Sequence, residues 1–215
     1  MNISEKFLPV SFKQDFHGIC DQLAGIDPEL CAITGLYGYP PLWSRAPSFK
    51  TIIHFILEQQ VSLASAKAAL NKLEDLIPEF TPERLLELSP EDLRACYFSR
   101  QKAGYARGVA EAIVTGDLVI DDLLCMPDVD IRKTLKNLKG IGDWTVDVFL
   151  MMSLHRCDLF PIGDVALVTS TRAVKHLGKH AGKDEILQTA EQWRPYRSVA
   201  AYMLWHAYLQ KRKKP

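Results

Sequence analysis

Apolar residues in this chain recur at intervals of three and four and hardly anywhere at two, a period that commits almost the whole sequence to helix. The segment FKTIIHFILEQQ reads as a buried helix, and LASAKAALNKLEDLI after it as an amphipathic one that stops at Pro78. In SPEDLRACYF, Ser89 is a natural N-cap, Pro90 suits the first helical position, and Asp92 completes a capping box. SRQKAGYARGVAEAIVTG continues as a helix closed by Gly116. The runs PDVDIRKTLKNL, GDWTVDVFLMMSL, DVALVTSTRAVKHLG, KDEILQTAEQW and RSVAAYMLWHAYLQKRK complete a series of helices joined by short turns. The expected fold class is all-α. No internal repeat, low-complexity tract or long Gly/Ser linker interrupts the 215 residues, so residues 1–215 are expected to form a single folding unit.

Composition narrows the function classes. Hydrophobic residues make up 47% of the chain, enough for a substantial core, yet no stretch approaches the ~20 apolar residues of a membrane span. The start, MNISEKFLPVSFKQD, lacks the continuous apolar core of a signal peptide, so an intracellular protein without a membrane segment is expected. Five scattered cysteines (Cys20, Cys31, Cys96, Cys125, Cys157) show no zinc or iron-sulfur spacing and read as reduced and buried. The 26 basic residues are balanced by 26 acidic ones. Zero net charge is unusual for a protein that binds duplex DNA by broad electrostatic attraction alone, so any such contact must be local. The one concentrated basic run, the terminal KRKKP, reads as a solvated tail.

The most informative segment is LKNLKGIGDWTVDVFLMMSL, where Leu138-Lys139-Gly140-Ile141-Gly142 separates two amphipathic helices by a tight turn. Glycines at 140 and 142 permit backbone that other residues resist, and their amides can approach a phosphate at a helix N-terminus whose dipole favours an anion. Such a grip reads backbone, not sequence. Taken alone, GIG also fits an ordinary helical turn with glycine as C-cap. Asp164, in FPIGDVAL at the start of a later helix, taken alone is an N-cap.

Together, LKGIGDWTVDVFL and the downstream FPIGDVAL resemble the helix-hairpin-helix and Gly/Pro-Asp signature of the base-excision DNA glycosylases. FILEQQVSLASAKAAL, YFSRQKAGYARGVAEAI and WRPYRSVAAYMLW extend the likeness from about Tyr39 to Trp205 and direct it to the 3-methyladenine DNA glycosylases of the AlkA and MAG type. The resemblance implies the catalytic core alone, without the bacterial relatives' extra N-terminal β domain. It also implies a two-lobed fold with the active cleft between the lobes: a terminal lobe of residues 1–48 plus 172–215, and a middle bundle of residues 49–171 carrying the hairpin.

The same resemblance assigns roles. Asp164 falls at the catalytic carboxylate's position, where capping and catalysis are compatible and the helix N-terminus favours the ionised form. Trp144 stands where strand-cutting relatives carry the nucleophilic lysine, and an indole cannot form a Schiff base. Base release without strand cleavage is therefore expected. Trp144 and Trp205 match aromatic residues of the base pocket, with core packing as the alternative for each; Val148 and Val165 stand where bacterial relatives have tyrosines, which implies a wider pocket. Lys139, Gly140, Ile141 and Gly142 would contact the DNA backbone. Gln59, Gln60 and Ser62 match the loop inserted into the duplex, with Gln60 at the wedge position; the alternative is that the two glutamines cap the ends of the helices on either side. Asp143 replaces a basic residue of several relatives, which weakens phosphate contact or stabilises its own helix start.

No cofactor is required, although the superfamily commonly holds Na+ or K+ on hairpin carbonyls, here those of Leu138 and Ile141. The four-cysteine iron-sulfur loop of other relatives has no counterpart, since no cysteine follows Cys157. The implied partner is double-stranded DNA containing alkylated bases, and the implied state is a monomer. The implied activity is release of 3-methyladenine- and 7-methylguanine-type bases. The competing expectations are a glycosylase for hypoxanthine, ethenoadenine or 1-methyladenine, and a DNA-binding protein that kept the hairpin without catalysis.

Overall fold

A computed structural model describes residues 11–213; the first ten residues and the last two, which include the end of the basic KRKKP run, lie outside it. Among the described residues twelve α-helices alternate with short turns: α1 (Phe16–Ile26), α2 (Pro28–Tyr37), α3 (Phe49–Glu58), α4 (Leu63–Leu76), α5 (Pro82–Glu87), α6 (Pro90–Ala95), α7 (Arg100–Val114), α8 (Asp128–Lys136), α9 (Asp143–Met152), α10 (Val165–Val174), α11 (Lys183–Ala190) and α12 (Arg197–Lys213). No β-strand occurs among them; a single bridge joins Ser11 and Arg156. None of these helices is long and apolar enough to cross a membrane.

Local signals explain where the helices begin and end. Ser48, Ser62, Thr81 and Ser99 each accept a backbone N–H from the first turn of the helix they precede. The capping box at Ser89 forms both of its bonds: Ser89 Oγ accepts from Asp92 N at 3.1 Å, and the Asp92 carboxylate accepts from Ser89 N at 2.9 Å. Gly116, at φ +82°, ends α7.

The described chain divides into two compact units, one of residues 45–149 and one of residues 11–44 with 150–213. The later division falls after Phe149, inside α9, rather than at 171/172 as the resemblance implied, and so places Asp164 in the second unit. The physical reason is packing: α10 lies along α12, with Ser170 Oγ donating to the Leu204 carbonyl at 2.6 Å.

The first unit is organised around α3, which is buried at Ile52, Ile53, Phe55, Ile56 and Leu57 and packs against α4 and α7. Ala66 and Ala69 on α4 and Ala106 and Ala110 on α7 are buried small residues that allow this close approach. In the second unit Tyr202 on α12 is fully buried at the centre of an aromatic cluster, with the rings of Phe12, Phe16, Trp43 and Trp205 all within 5.7 Å between centroids. A buried ion pair ties the same unit together. Asp27 caps α2 by accepting from Glu29 N and Leu30 N, and its second oxygen accepts from Lys175 Nζ at 3.0 Å and Trp193 Nε1 at 2.7 Å.

Three of the five cysteines are buried as expected, but Cys31 and Cys125 are exposed. Cys31 lies on the outward face of α2, and Cys125 closes the 3-10 turn of Asp121–Leu124. Cys20, Cys31, Cys96 and Cys125 are in no disulfide.

Candidate active site

Asp164 is presented by a loop that α12 holds in place. Ser198 N donates to the Cys157 carbonyl at 2.9 Å, Leu159 N donates to Ser198 Oγ at 3.0 Å, and Arg197 donates through Nε to Asp158 Oδ1 at 2.7 Å. The chain then turns at Pro161–Asp164, with Asp164 N donating to the Pro161 carbonyl at 2.8 Å, and enters α10. Asp164 is the N-cap of that helix, as expected. Its Oδ1 accepts from Leu167 N at 2.8 Å and from the indole Nε1–H of Trp205 at 3.1 Å. Two donors from different helices thus converge on one oxygen of a half-buried carboxylate.

Trp205 is 8% exposed, and its ring meets Tyr202 edge-on at 63° and 5.7 Å. The sequence suggested a stacking face at this position. The structure adds a hydrogen-bond donor aimed at the carboxylate, a role that aromatic identity alone does not reveal. Tyr202 in turn donates its hydroxyl to the Trp43 carbonyl at 2.7 Å and stacks on the Trp43 ring at 5.5 Å and 28°. Trp43 and Tyr202 therefore continue an aromatic series outward from Asp164. Sequence reasoning singled out neither: Trp43 lies outside the matched motifs, and Tyr202, within WRPYRSVAAYMLW, carried no role of its own.

In the first unit, α8 and α9 form the hairpin around Leu138–Gly142. Gly140 sits at φ +89°, and a Cβ added there would meet the ring of Tyr105 at 2.1 Å, so both backbone and packing demand glycine. Tyr105, on α7, is a third residue that sequence reasoning did not single out. Ile141 is buried and anchors the turn, with its N–H donating to the Leu138 carbonyl at 3.1 Å, while Lys139 is exposed. Gly142 meets nothing within 4 Å at a built Cβ, and its carbonyl accepts the first bond of α9 from Val146 N. Open backbone here leaves space for a phosphate.

The acidic residues flanking this turn are paired. Asp143 accepts from Arg132 at 3.1 Å and Lys136 at 2.8 Å, and Asp147 accepts from Arg132. Four alternating charges thus clamp α8 against α9. The Lys136 ammonium holds the Asp143 carboxyl below the ordinary carboxylate range, whereas burial pushes that of Asp147 up despite its arginine partner. The acid at 143 that seemed a cost to phosphate contact is a structural tie.

The remaining expected site residues separate. Gln59, the C-cap of α3, donates from Nε2 to the Gly140 carbonyl at 2.9 Å and to Thr145 Oγ1 at 3.2 Å, so its amide is engaged within the unit rather than offered to a duplex. Ser62 caps α4. Gln60, exposed at the tip of the turn with φ +59°, alone of the three has the expected presentation. Trp144 is half-buried in the first turn of α9. Val148 is 2% exposed and Val165 is 77% exposed: one is a core residue and the other lies open at the start of α10. Among the described residues no group of three or more histidine, cysteine or acidic side chains could hold a metal ion. The Leu138 carbonyl accepts from Ile141 N at 3.1 Å and keeps a second lone pair.

Residues 53–195 match the HhH-GPD superfamily base excision DNA repair proteins. A putative DNA-3-methyladenine glycosylase of Bacillus subtilis is 32% identical over 83% of this chain and 65% of its own length. DNA-3-methyladenine glycosylase 1 of Schizosaccharomyces pombe is 30% identical over 85% of this chain and 83% of its own. The chain thus spans slightly under two thirds of the Bacillus relative. The solved structure of the S. pombe 3-methyladenine DNA glycosylase Mag1 in complex with abasic DNA superimposes with a TM-score of 0.81 at 28% identity, covering 87% of this chain and 95% of that one. The matched span runs from α3 beyond α11 and takes in both the glycine hairpin and the capping aspartate, so this chain belongs to the HhH-GPD superfamily of base excision DNA repair proteins.

Proposed function

We propose that this protein is a monofunctional DNA glycosylase that displaces alkylated purines of the 3-methyladenine and 7-methylguanine type from duplex DNA and hydrolyses their N-glycosidic bonds, with Asp164 as the catalytic carboxylate. The observation that carries this reading is the double anchoring of Asp164 Oδ1 by Leu167 N and Trp205 Nε1. The names of the relatives, DNA-3-methyladenine glycosylases, support the substrate class.

In the reaction, the bond between C1′ of the deoxyribose and the purine nitrogen breaks and the base leaves with the electron pair. Water then adds its oxygen to C1′ and yields a proton. The sugar carries positive charge in the transition state. A carboxylate ~4 Å away, at an effective dielectric of ~20, stabilises it by about 4 kcal/mol, roughly a thousandfold in rate. That is modest for a poor leaving group but sufficient for a purine that alkylation has already made cationic. A carboxylate oriented by fixed donors stabilises this charge without reorganising.

The exposed Gln60 would fill the space a displaced base vacates, and the hairpin around Gly140 would hold the backbone. Na+ or K+ on the Leu138 and Ile141 carbonyls would add positive charge to that grip. Trp144 in place of a lysine supports base release with no Schiff base, so borohydride should trap no covalent complex with abasic DNA. Val165, open to solvent where relatives have an aromatic ring, favours a pocket that admits bulkier lesions.

The test is single-turnover base release from duplexes carrying 3-methyladenine, 7-methylguanine, hypoxanthine or ethenoadenine, by the protein and by Asp164→Asn. Asparagine preserves the N-cap, so thermal stability should hold while release of the methylated bases falls about a thousandfold. Undiminished release by the variant would overturn the assignment of Asp164. Absence of release from every lesion by the unmodified protein would leave a DNA-binding module.

A further inference from the structure

Gln59 and Gln60 form a tight turn after α3, with Gln59 at φ −59°, ψ 121° and Gln60 at φ +59°. This is type II geometry, whose third residue is ordinarily glycine or asparagine. A glutamine in the left-handed region is strained, and such strain persists only where the surroundings over-determine it. Here the over-determination comes from the preceding side chain. Gln59 Nε2 donates to the Gly140 carbonyl at 2.9 Å and to Thr145 Oγ1 at 3.2 Å, touching the hairpin turn and the first turn of α9 together. Gly140 is braced from another side by the Tyr105 ring, and Lys102 Nζ holds the α3 terminus through the Leu57 carbonyl at 2.7 Å.

We propose that Gln59 is a positioning residue whose amide fixes the Gln60 turn in register with the hairpin, so that gripping the DNA backbone and filling the vacated base position act as one rigid device. The inference deepens the glycosylase reading and rests on it for its substrate. Its logic is energetic. Opening a base stack is unfavourable, and binding energy from phosphate contacts can drive it only if the inserted group cannot retreat relative to the gripping group. A turn free to shift would let the hairpin hold an undistorted duplex. The Gln59 amide removes that freedom, because its two acceptors lie on either side of Gly142.

The experiment uses the full chain, with Gln59→Met, which keeps length without donors, and Thr145→Val, which removes one acceptor and leaves the Gly140 bond. Four quantities are measured: duplex affinity by anisotropy; the fluorescence of 2-aminopurine beside a tetrahydrofuran abasic analogue in the saturated complex; release of 7-methylguanine from duplex and from single-stranded DNA; and the thermal midpoint. With Gln59→Met, affinity should stay within about twofold. The 2-aminopurine signal and duplex release should fall about tenfold, and single-strand release should stay within about threefold, since no stack has to open. Thr145→Val should lower the signal about two- to threefold and decides the matter if the methionine variant does not fold. Wild-type fluorescence in the variants, or a parallel fall of affinity and both release rates, would overturn the proposal in favour of a merely structural tie. If the unmodified protein releases no base from either strand form, the glycosylase reading fails, while the 2-aminopurine signal still decides whether Gln59 couples turn to hairpin.

Discussion

Trp205 directs its indole N–H at Oδ1 of Asp164, 3.1 Å away, while its ring packs edge-on against the buried Tyr202. The indole thus orients the carboxylate from a helix other than the one that Asp164 caps. Trp205→Phe keeps most of the ring and removes the donor. Base release is expected to fall about tenfold, the loss of one hydrogen bond to a charged group, with the thermal midpoint shifted by only a few degrees. A wild-type rate would assign Trp205 to packing alone.

Gly140 is fixed by its +89° φ and by the Tyr105 ring at the place a Cβ would occupy. Gly140→Ala is expected to cost about 1–2 kcal/mol from backbone strain, with overpacking against Tyr105 in addition. Duplex affinity should drop with it. Combining it with Tyr105→Ala should recover the overpacking part of the unfolding free energy and leave the backbone part, measured by urea denaturation.

Gln60 offers the opposite trade. Glycine accepts φ +59° without strain, so Gln60→Gly is expected to stabilise the fold by up to about 1 kcal/mol while reducing base release from duplex DNA, because the inserted side chain is gone. A variant that is less stable, or that releases bases at the wild-type rate, would contradict this account of the turn.

The Asp27–Lys175 pair should make the protein acid-sensitive. Burial pushes the Asp27 carboxyl up, but the hydrogen bonds from Trp193, Lys175 and the start of α2 outweigh it and set it below the ordinary 3.8. A depressed carboxyl contributes stability that is complete above its unfolded value and lost as pH falls through its folded value. Asp27→Asn should therefore be less stable than wild type by about 3 kcal/mol at pH 7, and the gap should narrow below about pH 4. Denaturant melts of both proteins between pH 3 and 7 provide the check; a gap independent of pH would show that the charge is not what Asp27 contributes.

Much of the site was legible before any contact was known. Gly140 announced a turn that only glycine accommodates, Asp164 announced a helix cap, and the box at Ser89 and Asp92 formed as the spacing required. These features are local, since each depends on residues within about four positions and on backbone stereochemistry. Gln59 ends α3, as the capping alternative had it, but its amide finds the Gly140 carbonyl across 81 positions of chain, and nothing near Gln59 records that encounter. Val148 and Val165 shared an expectation that the structure divides between core and surface. Tyr105 lies within a matched segment but carried no signal of its own role, because the demand it meets arises from the glycine it covers.

The sequence by itself determined the helices, their caps and the glycine turn, because periodicity, capping chemistry and left-handed backbone are decided within a few residues. Only the tertiary structure decided that Trp205 would donate to Asp164, that Gln59 would brace the hairpin and that Asp143 would pair with Arg132 and Lys136. A polar side chain carries donors and acceptors but no address. Its partner is whichever group helix packing brings within about 3 Å, and packing is set by the apolar faces of many residues together.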